Sequence, residues 1–357
     1  MKIAFITDTH FGARNDSRVF SNNFYKFYED IFFPKLKELN VSHCIHLGDF
    51  CDRRKYINYF TLNEIRTRFL DVFKKNDISI HALVGNHDTF YKNTNDINCF
   101  NELFNQYSFI TVYDKPRVFE LFGIRFGMVP WITDENRDEC VDFIQNCSAE
   151  FLCGHFEVNG FEVITGMKFG GGLHSKLFKN YDKVFSGHFH NKQIKGNIWY
   201  LGTPYQITWS DYGMKHGFHI LDTETREIEF IENTHTLFVK YEYDDSEMEY
   251  EDLEDIDFSG VEERYVKIIV NEKKNPFLFD KYIDRLYKFG PANVSIIEDV
   301  SIDDEVSEED EIDMKEDTLT MINHCVDQTL SKRNERKRLK GLLQSLYMEA
   351  VNMGERG

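Results

Sequence analysis

Residues 78–88 read ISIHALVGNHD. A short, mostly apolar run ends in a glycine, as a buried strand does before a turn. An amide, an imidazole and a carboxylate follow directly. Working outward, the same plan recurs four times. KIAFITDTH (2–10), SHCIHLGD (42–49), AEFLCGH (149–155) and DKVFSGHFH (182–190) each carry an apolar run into Asp, His or both. Between the first three runs lie SNNFYKFYEDIFFPKLKELN (21–40) and TLNEIRTRFLDVFKKN (61–76), whose apolar residues recur at helical spacing. Strand–helix alternation of this kind predicts an α/β layered sheet with parallel strands. Open α/β sheets bind ligands beyond the carboxyl ends of their strands, and all five polar clusters fall at that edge. After residue 194 the style changes: NIWYLGTPYQITW and HGFHILDTETREIEFIE predict antiparallel strands with polar turns.

The residue types at the edge point to metal. Asp8, His10, Asp49, Asn86, His155, His188 and His190 offer carboxylates, imidazoles and one amide. If one carboxylate bridges, these side chains can give four ligands to each of two ions. Mixed nitrogen and oxygen donors without thiolate suit Mn²⁺, Fe²⁺ or Zn²⁺ rather than Ca²⁺. Two divalent ions outweigh two carboxylates, and the net positive charge attracts phosphate and clamps the attacking and leaving oxygens of a displacement. His87 is left over. It reads as a proton donor to a departing alkoxide, with Asp88 orienting its ring.

The chain has 357 residues and a formal net charge of −19. Two segments, residues 242–263 and 298–317, hold 24 acidic residues and one lysine. The remainder is slightly basic, so a polyanionic partner is not excluded. Both acidic runs read as solvated linkers. Between them, RYVKIIV, PFLFDKYIDRLYKF and NVSIIEDV predict a small βαβ unit. Beyond the second, Leu319, Ile322, Val326 and Leu330, then Leu339, Leu342, Leu343 and Leu346, form two helical stripes that dock on a partner. The expected organisation is a core over 1–240, an acidic linker over 241–263, a βαβ cap over 264–300, a second acidic linker over 301–317 and a helical tail over 318–357. No apolar run approaches the ~20 residues that span a membrane. Asp8 comes too early for a signal sequence. Seven cysteines without a CxxC read as reduced thiols in a cytoplasmic compartment.

DTH, GD, GNHD, GH and GHFH in this order resemble the calcineurin-like metallophosphoesterases. GDFCDRRK (48–55) and the domains behind the core resemble, within that superfamily, the double-strand-break repair nucleases of the SbcD and meiotic-recombination type, including the recombination endonuclease subunits of tailed phages. The resemblance covers the core and cap and, more loosely, the tail. It implies a layered sandwich of mixed sheets flanked by helices, and an Mn²⁺-dependent DNA endo- and exonuclease. One ion would be held by Asp8, His10, Asp49 and His190, the other by Asp49, Asn86, His155 and His188. The cap would help hold DNA, the tail would dock on an SbcC-type coiled-coil ATPase, and helices near the site would form a homodimer, in the host cytoplasm if the chain is phage-encoded. The sequence departs from the pattern at Asp52, where cellular members commonly carry a second catalytic histidine; either Arg53 or Arg54 then meets the phosphate, or that role is dispensable here. A protein phosphatase or cyclic-nucleotide phosphodiesterase with the same core, or a scaffold with an inactive site, remain open as alternatives.

Overall fold

The computed structural model describes residues 1–164 and 166–298. The apolar runs become strands of two six-stranded sheets. In spatial order the first holds Ile228–Glu232, Gly217–Asp222, Lys2–Ile6, His43–His46, Ser79–Leu83 and Ile110–Tyr113. From Lys2–Ile6 to Ile110–Tyr113 the strands are parallel; Gly217–Asp222 closes the other side antiparallel. The second sheet runs Gln193–Lys195, Ile198–Tyr200, Lys183–Ser186, Phe151–Gly154, Ile124–Val129 and Arg117–Leu121, parallel at its centre and antiparallel at both edges.

Side chains alternate across a strand, and here both faces are apolar. Ile3, Phe5, Ile45, Leu47 and Leu83 meet Phe126, Met128, Phe151, Cys153 and Phe185 in one buried cluster between the sheets. Their neighbours Ala4, Ile6, Cys44, Ile80 and Ala82 face the helical layer. That layer is made by Arg18–Phe27 and Phe33–Glu38, joined through a π turn at Tyr28–Phe32, and by Tyr59–Glu64 and Asp71–Lys75, joined through another at Ile65–Leu70. Leu152, Val184 and Ile198 form a third cluster with Cys140 and Ile144 of helix Arg137–Asn146, on the outer face of the second sheet. Strands covered on both sides need continuous apolar runs, which is why the sequence does not alternate there.

The linker expected over residues 241–263 is not a linker. Phe238–Asp244 is a strand, and it pairs in parallel with Tyr265–Glu272, which pairs in parallel with Asn293–Ile297. The acidic segment is the crossover that joins the first two of these strands. Its charges turn outward, while Leu253, Phe258 and Val261 are buried against Val266, Ile268, Leu278 and Tyr282. Asp245 is the exception, buried and accepting bonds from the backbone N–H of Lys274 and Asn275 and from Tyr243 Oη. Arg285 holds the Glu254 and Ile256 carbonyls. The cap therefore begins near residue 238, and helix Pro276–Tyr287, capped by the Asn275 side chain, covers it. The second linker (301–317), the helical tail (318–357) and the last two residues of the expected cap lie outside the described residues. Among the described residues no helix is long and apolar enough to cross a membrane.

Candidate metal centre

Five of the parallel strands, Lys2–Ile6, His43–His46, Ser79–Leu83, Phe151–Gly154 and Lys183–Ser186, each deliver a polar cluster at the carboxyl end. Four of the clustered side chains hang from backbone in the left-handed region: Asp8 (φ 51°), His10 (φ 40°), Asp49 (φ 55°) and His188 (φ 86°). For residues other than glycine such conformations cost on the order of 1–3 kcal/mol each and gather at functional sites. Gly48, at φ 102°, has a second constraint: a Cβ there would lie 2.6 Å from His155 Nδ1 and 2.8 Å from Gly85 Cα. The turns are also tied to one another. The Asp8 N–H donates to Gly48 O, the His10 N–H to Asp49 O, and the His188 N–H to Asp8 Oδ1. His46 accepts from the Gly48 N–H at Nδ1, so its Nε2–H faces Thr9 Oγ1, which donates to Phe50 O.

All seven expected ligands meet in one place. Ligand atoms of Asp8, His10 and His190 lie within 4.8 Å of one another, as do those of Asp49, His155 and His188. Asp49 Oδ2 stands between the groups, 3.8 Å from His10 Nε2 and 3.2 Å from His155 Nε2. Asn86 Oδ1 is 2.9 Å from His155 Nε2 and 3.0 Å from His188 Nδ1. His155 is fully buried and donates its Nδ1–H to Leu47 O over 2.8 Å, which turns Nε2 toward Asp49.

The electrostatics favour a cation. Burial pushes His10 and His155 toward lower pKa, yet the surrounding carboxylates, Asp52 and Asp49 foremost for His10 and Asp49 for His155, outweigh it and raise both to about 9. Burial and the neighbouring His10 hold His190 down at about 3, so its ring is neutral and one nitrogen keeps a lone pair for an ion. Burial pushes Asp49 up, but His155, His87 and His10 hold it well below the usual carboxylate range. Buried carboxylates need compensation, and here protons on imidazoles supply it. His10 Nε2 is buried without a hydrogen-bond partner. An orphaned nitrogen aimed at a carboxylate, within a set of O and N donors, fits two divalent ions sharing Asp49.

The remaining expected residues divide. His87 lies beside the cluster: its N–H donates to Asp49 Oδ1 over 2.8 Å, its ring is 4.9 Å from that of His10, and Nδ1 bonds the Asp52 carbonyl. Asp88 does not orient that ring. Its carboxylate takes the N–H groups of Phe50, Cys51 and Gly85 and the Cys99 thiol, so it fixes the turn that carries Asp49. His87 and Asp88 stand in a tight turn closed by the Asp88 N–H on Gly85 O, which directs the Asp88 carboxylate back under the turn. Arg53 is tied to Asp16 and the Gly12 carbonyl and stacks on Tyr56, so its guanidinium already has partners in the protein. Arg54 lines a cavity of about 150 Å³ with Tyr56, Ile57, Phe90 and Leu103. Three contacts were not expected from the sequence. Asp52 Oδ1 lies 3.3 Å from His10 Nδ1, Glu157 Oε1 lies 3.4 Å from His188 Nε2, and Trp131 packs its ring 5.1 Å from that of His188. Glu157 stands two residues after His155, a spacing that returns a side chain to the same side of extended chain. That was the available signal.

Residues 1–192 match the family described as calcineurin-like phosphoesterase. Exonuclease subunit 1 of Enterobacteria phage T4 is 34% identical over 252 residues, which are 70% of this chain and 71% of that one. Among solved structures, a novel archaeal phosphodiesterase overlays on 65% of this chain and 100% of its own at 18% identity and a TM-score of 0.33. A purple acid phosphatase from seeds of yellow lupin, Lupinus luteus, overlays on 65% of this chain and 45% of its own at 11% identity and a TM-score of 0.32.

Proposed function

The chain belongs to the calcineurin-like phosphoesterase family and is a metal-dependent phosphoesterase, and from that premise we propose that it is a DNA nuclease. It hydrolyses phosphodiesters with Mn²⁺, as endonuclease and exonuclease, and works with an SbcC-type coiled-coil ATPase in DNA end processing, recombination and repair. The observation that carries the proposal is the pair of ligand groups with Asp49 between them, a member of one and 3.8 Å from His10 of the other. The relative described as an exonuclease subunit supports both the substrate class and a partner subunit. The cap, which a phosphatase acting on small esters would not need, supports a long substrate.

Asp8, His10, Asp49 and His190 would hold one ion; Asp49, Asn86, His155 and His188 would hold the other. Two divalent ions there supply a charge clamp on the scissile phosphate and acidify the attacking water. His87 donates Nδ1–H to the Asp52 carbonyl, which leaves Nε2 to carry a proton to the departing oxygen. Asp88 acts at a distance by holding the Asp49 turn. Arg54 is the candidate contact to the DNA backbone. A second copy of the chain would pair through helices near the site, where Tyr59 at the start of Tyr59–Glu64 is exposed. The tail over 318–357 would carry the ATPase contact, and the complex would work in the cytoplasm.

The test is direct. Purified chain with Mn²⁺, alone and with a coiled-coil ATPase partner, is offered single-stranded and duplex DNA, a phosphopeptide and a cyclic nucleotide. Cleavage of DNA in preference to the others is expected. Intact DNA under every condition overturns the proposal, and preference for the phosphopeptide or cyclic nucleotide moves the chain to another branch of the family.

A further inference from the structure

We propose that Asp52 and Glu157 are positioning residues, one for each ion of the two-ion centre. Asp52 orients His10 at the first ion and Glu157 orients His188 at the second. The inference rests on the two-ion reading above, and nothing in the family match assigns either residue.

The geometry is parallel in the two halves. Asp52 Oδ1 is 3.3 Å from His10 Nδ1, and the opposite nitrogen, Nε2, is the buried one that has no hydrogen-bond partner. Glu157 Oε1 is 3.4 Å from His188 Nε2, and the opposite nitrogen, Nδ1, faces Asn86 Oδ1 at 3.0 Å. In each ring one nitrogen is taken by a carboxylate. That fixes the tautomer and leaves the lone pair of the other for an ion. A carboxylate partner also makes the imidazole a stronger donor, and loss of such a partner typically costs about 10–100-fold in metal affinity. His155, by contrast, is backed by a neutral carbonyl, Leu47 O.

The two carboxylates differ in exposure: the side chain is 9% accessible for Asp52 and 34% for Glu157. Solvent screens the second more, so Asp52 has the larger effect. Asp52 also acts twice. Its side chain sets the tautomer of His10, and its carbonyl sets that of His87. A residue that cannot serve phosphate as a cation therefore has a use at this position.

The experiment is a titration of the full-length chain with Mn²⁺, read by calorimetry and by electron paramagnetic resonance, with His10→Gln and His188→Gln as references. Asp52→Asn is expected to weaken the step that His10→Gln weakens, by about 10–100-fold. Glu157→Gln is expected to weaken the step that His188→Gln weakens, by less. Raising Mn²⁺ should restore hydrolysis by Asp52→Asn, which it would not do if Asp52 only supported the fold. If Asp52→Asn does not fold, Asp52→Glu must bind the first ion more tightly than Asp52→Gln. Two ions bound by the wild type with unchanged affinities in both variants overturn the inference, as do losses at the opposite steps. A wild type that binds no ion instead overturns the two-ion reading itself.

Discussion

The strand ends and the cap handle buried charge in opposite ways. At the strand ends Asp8, Asp49 and Asp88 are all buried, on backbone that is left-handed at four of the clustered positions. In the cap, among the described residues, only Glu263 and Gly290 have positive φ, and both stand in turns. Among the described residues the cap's one buried carboxylate, Asp245, has three donors from its own domain, and its other acidic side chains are exposed. The strand ends hold geometry that packing alone would not choose; the cap is held by packing. Substitutions in the first region should therefore cost function with little cost in stability, and substitutions in the second should do the reverse.

The sharpest way to break the contrast is Asp49→Asn. It keeps the shape of the shared carboxylate and removes its charge. Expected are loss of both ions by elemental analysis, hydrolysis reduced about 10³-fold or more, and a metal-free melting temperature only slightly below that of the wild type, because His10 and His155 lose the carboxylate that holds their protons. A large drop in that temperature would mean that the cluster is structural. His87→Ala comes next. Turnover should fall about 10²–10⁴-fold while two ions remain bound; loss of an ion would make His87 a ligand. Tyr282→Ala tests the other side. Tyr282 is buried between Tyr243, Phe258 and Phe279, and truncation of a core aromatic costs about 3–5 kcal/mol. Calorimetry should show a destabilised cap, DNA cleavage should weaken, and hydrolysis of a small phosphodiester should stay as it was.

The smallest effect is one of pH. His10 and His155 are raised to about 9 in the folded chain, against an ordinary value of 6.5. A raised folded pKa contributes stability that is complete below 6.5 and lost as pH rises toward 9. The metal-free protein should therefore melt several degrees lower at pH 9 than at pH 6.5. Excess Mn²⁺ should reverse that slope, because metal and proton compete for the same nitrogens. His46 and His190, lowered to about 3, act in the opposite sense and only below 6.5.

The metal-bearing edge was legible because ligand chemistry leaves few choices. Asp, His and Asn after buried strands, most of them beside a glycine, have little to do in a core, and all seven converge. The supporting contacts were less legible. Asp88 neighbours His87 in sequence, but the turn they share aims the carboxylate at the Phe50, Cys51 and Gly85 N–H groups instead. Arg53 looked free because its partner, Asp16, lies 37 residues away in a turn of left-handed backbone at Arg14, Asn15 and Asp16 that no local pattern announces. The cap boundary was masked by charge. Twelve acids between 242 and 263 outweigh Leu253, Phe258 and Val261 in any composition count, yet those apolar residues decide that the segment is folded.

The antiparallel seating of Gly217–Asp222 against Lys2–Ile6 has a consequence in time. Lys2–Ile6 is synthesised before every other described strand, yet it is a central strand of its sheet, and one of its two neighbours is encoded more than 200 residues later. At ~5–20 residues per second, its edge waits roughly ten to forty seconds for that partner. Through that interval Ile3, Ala4, Phe5 and Ile6 must be kept from foreign strands, and Asp8 and His10, already synthesised, have no completed partner set until His190 has followed them.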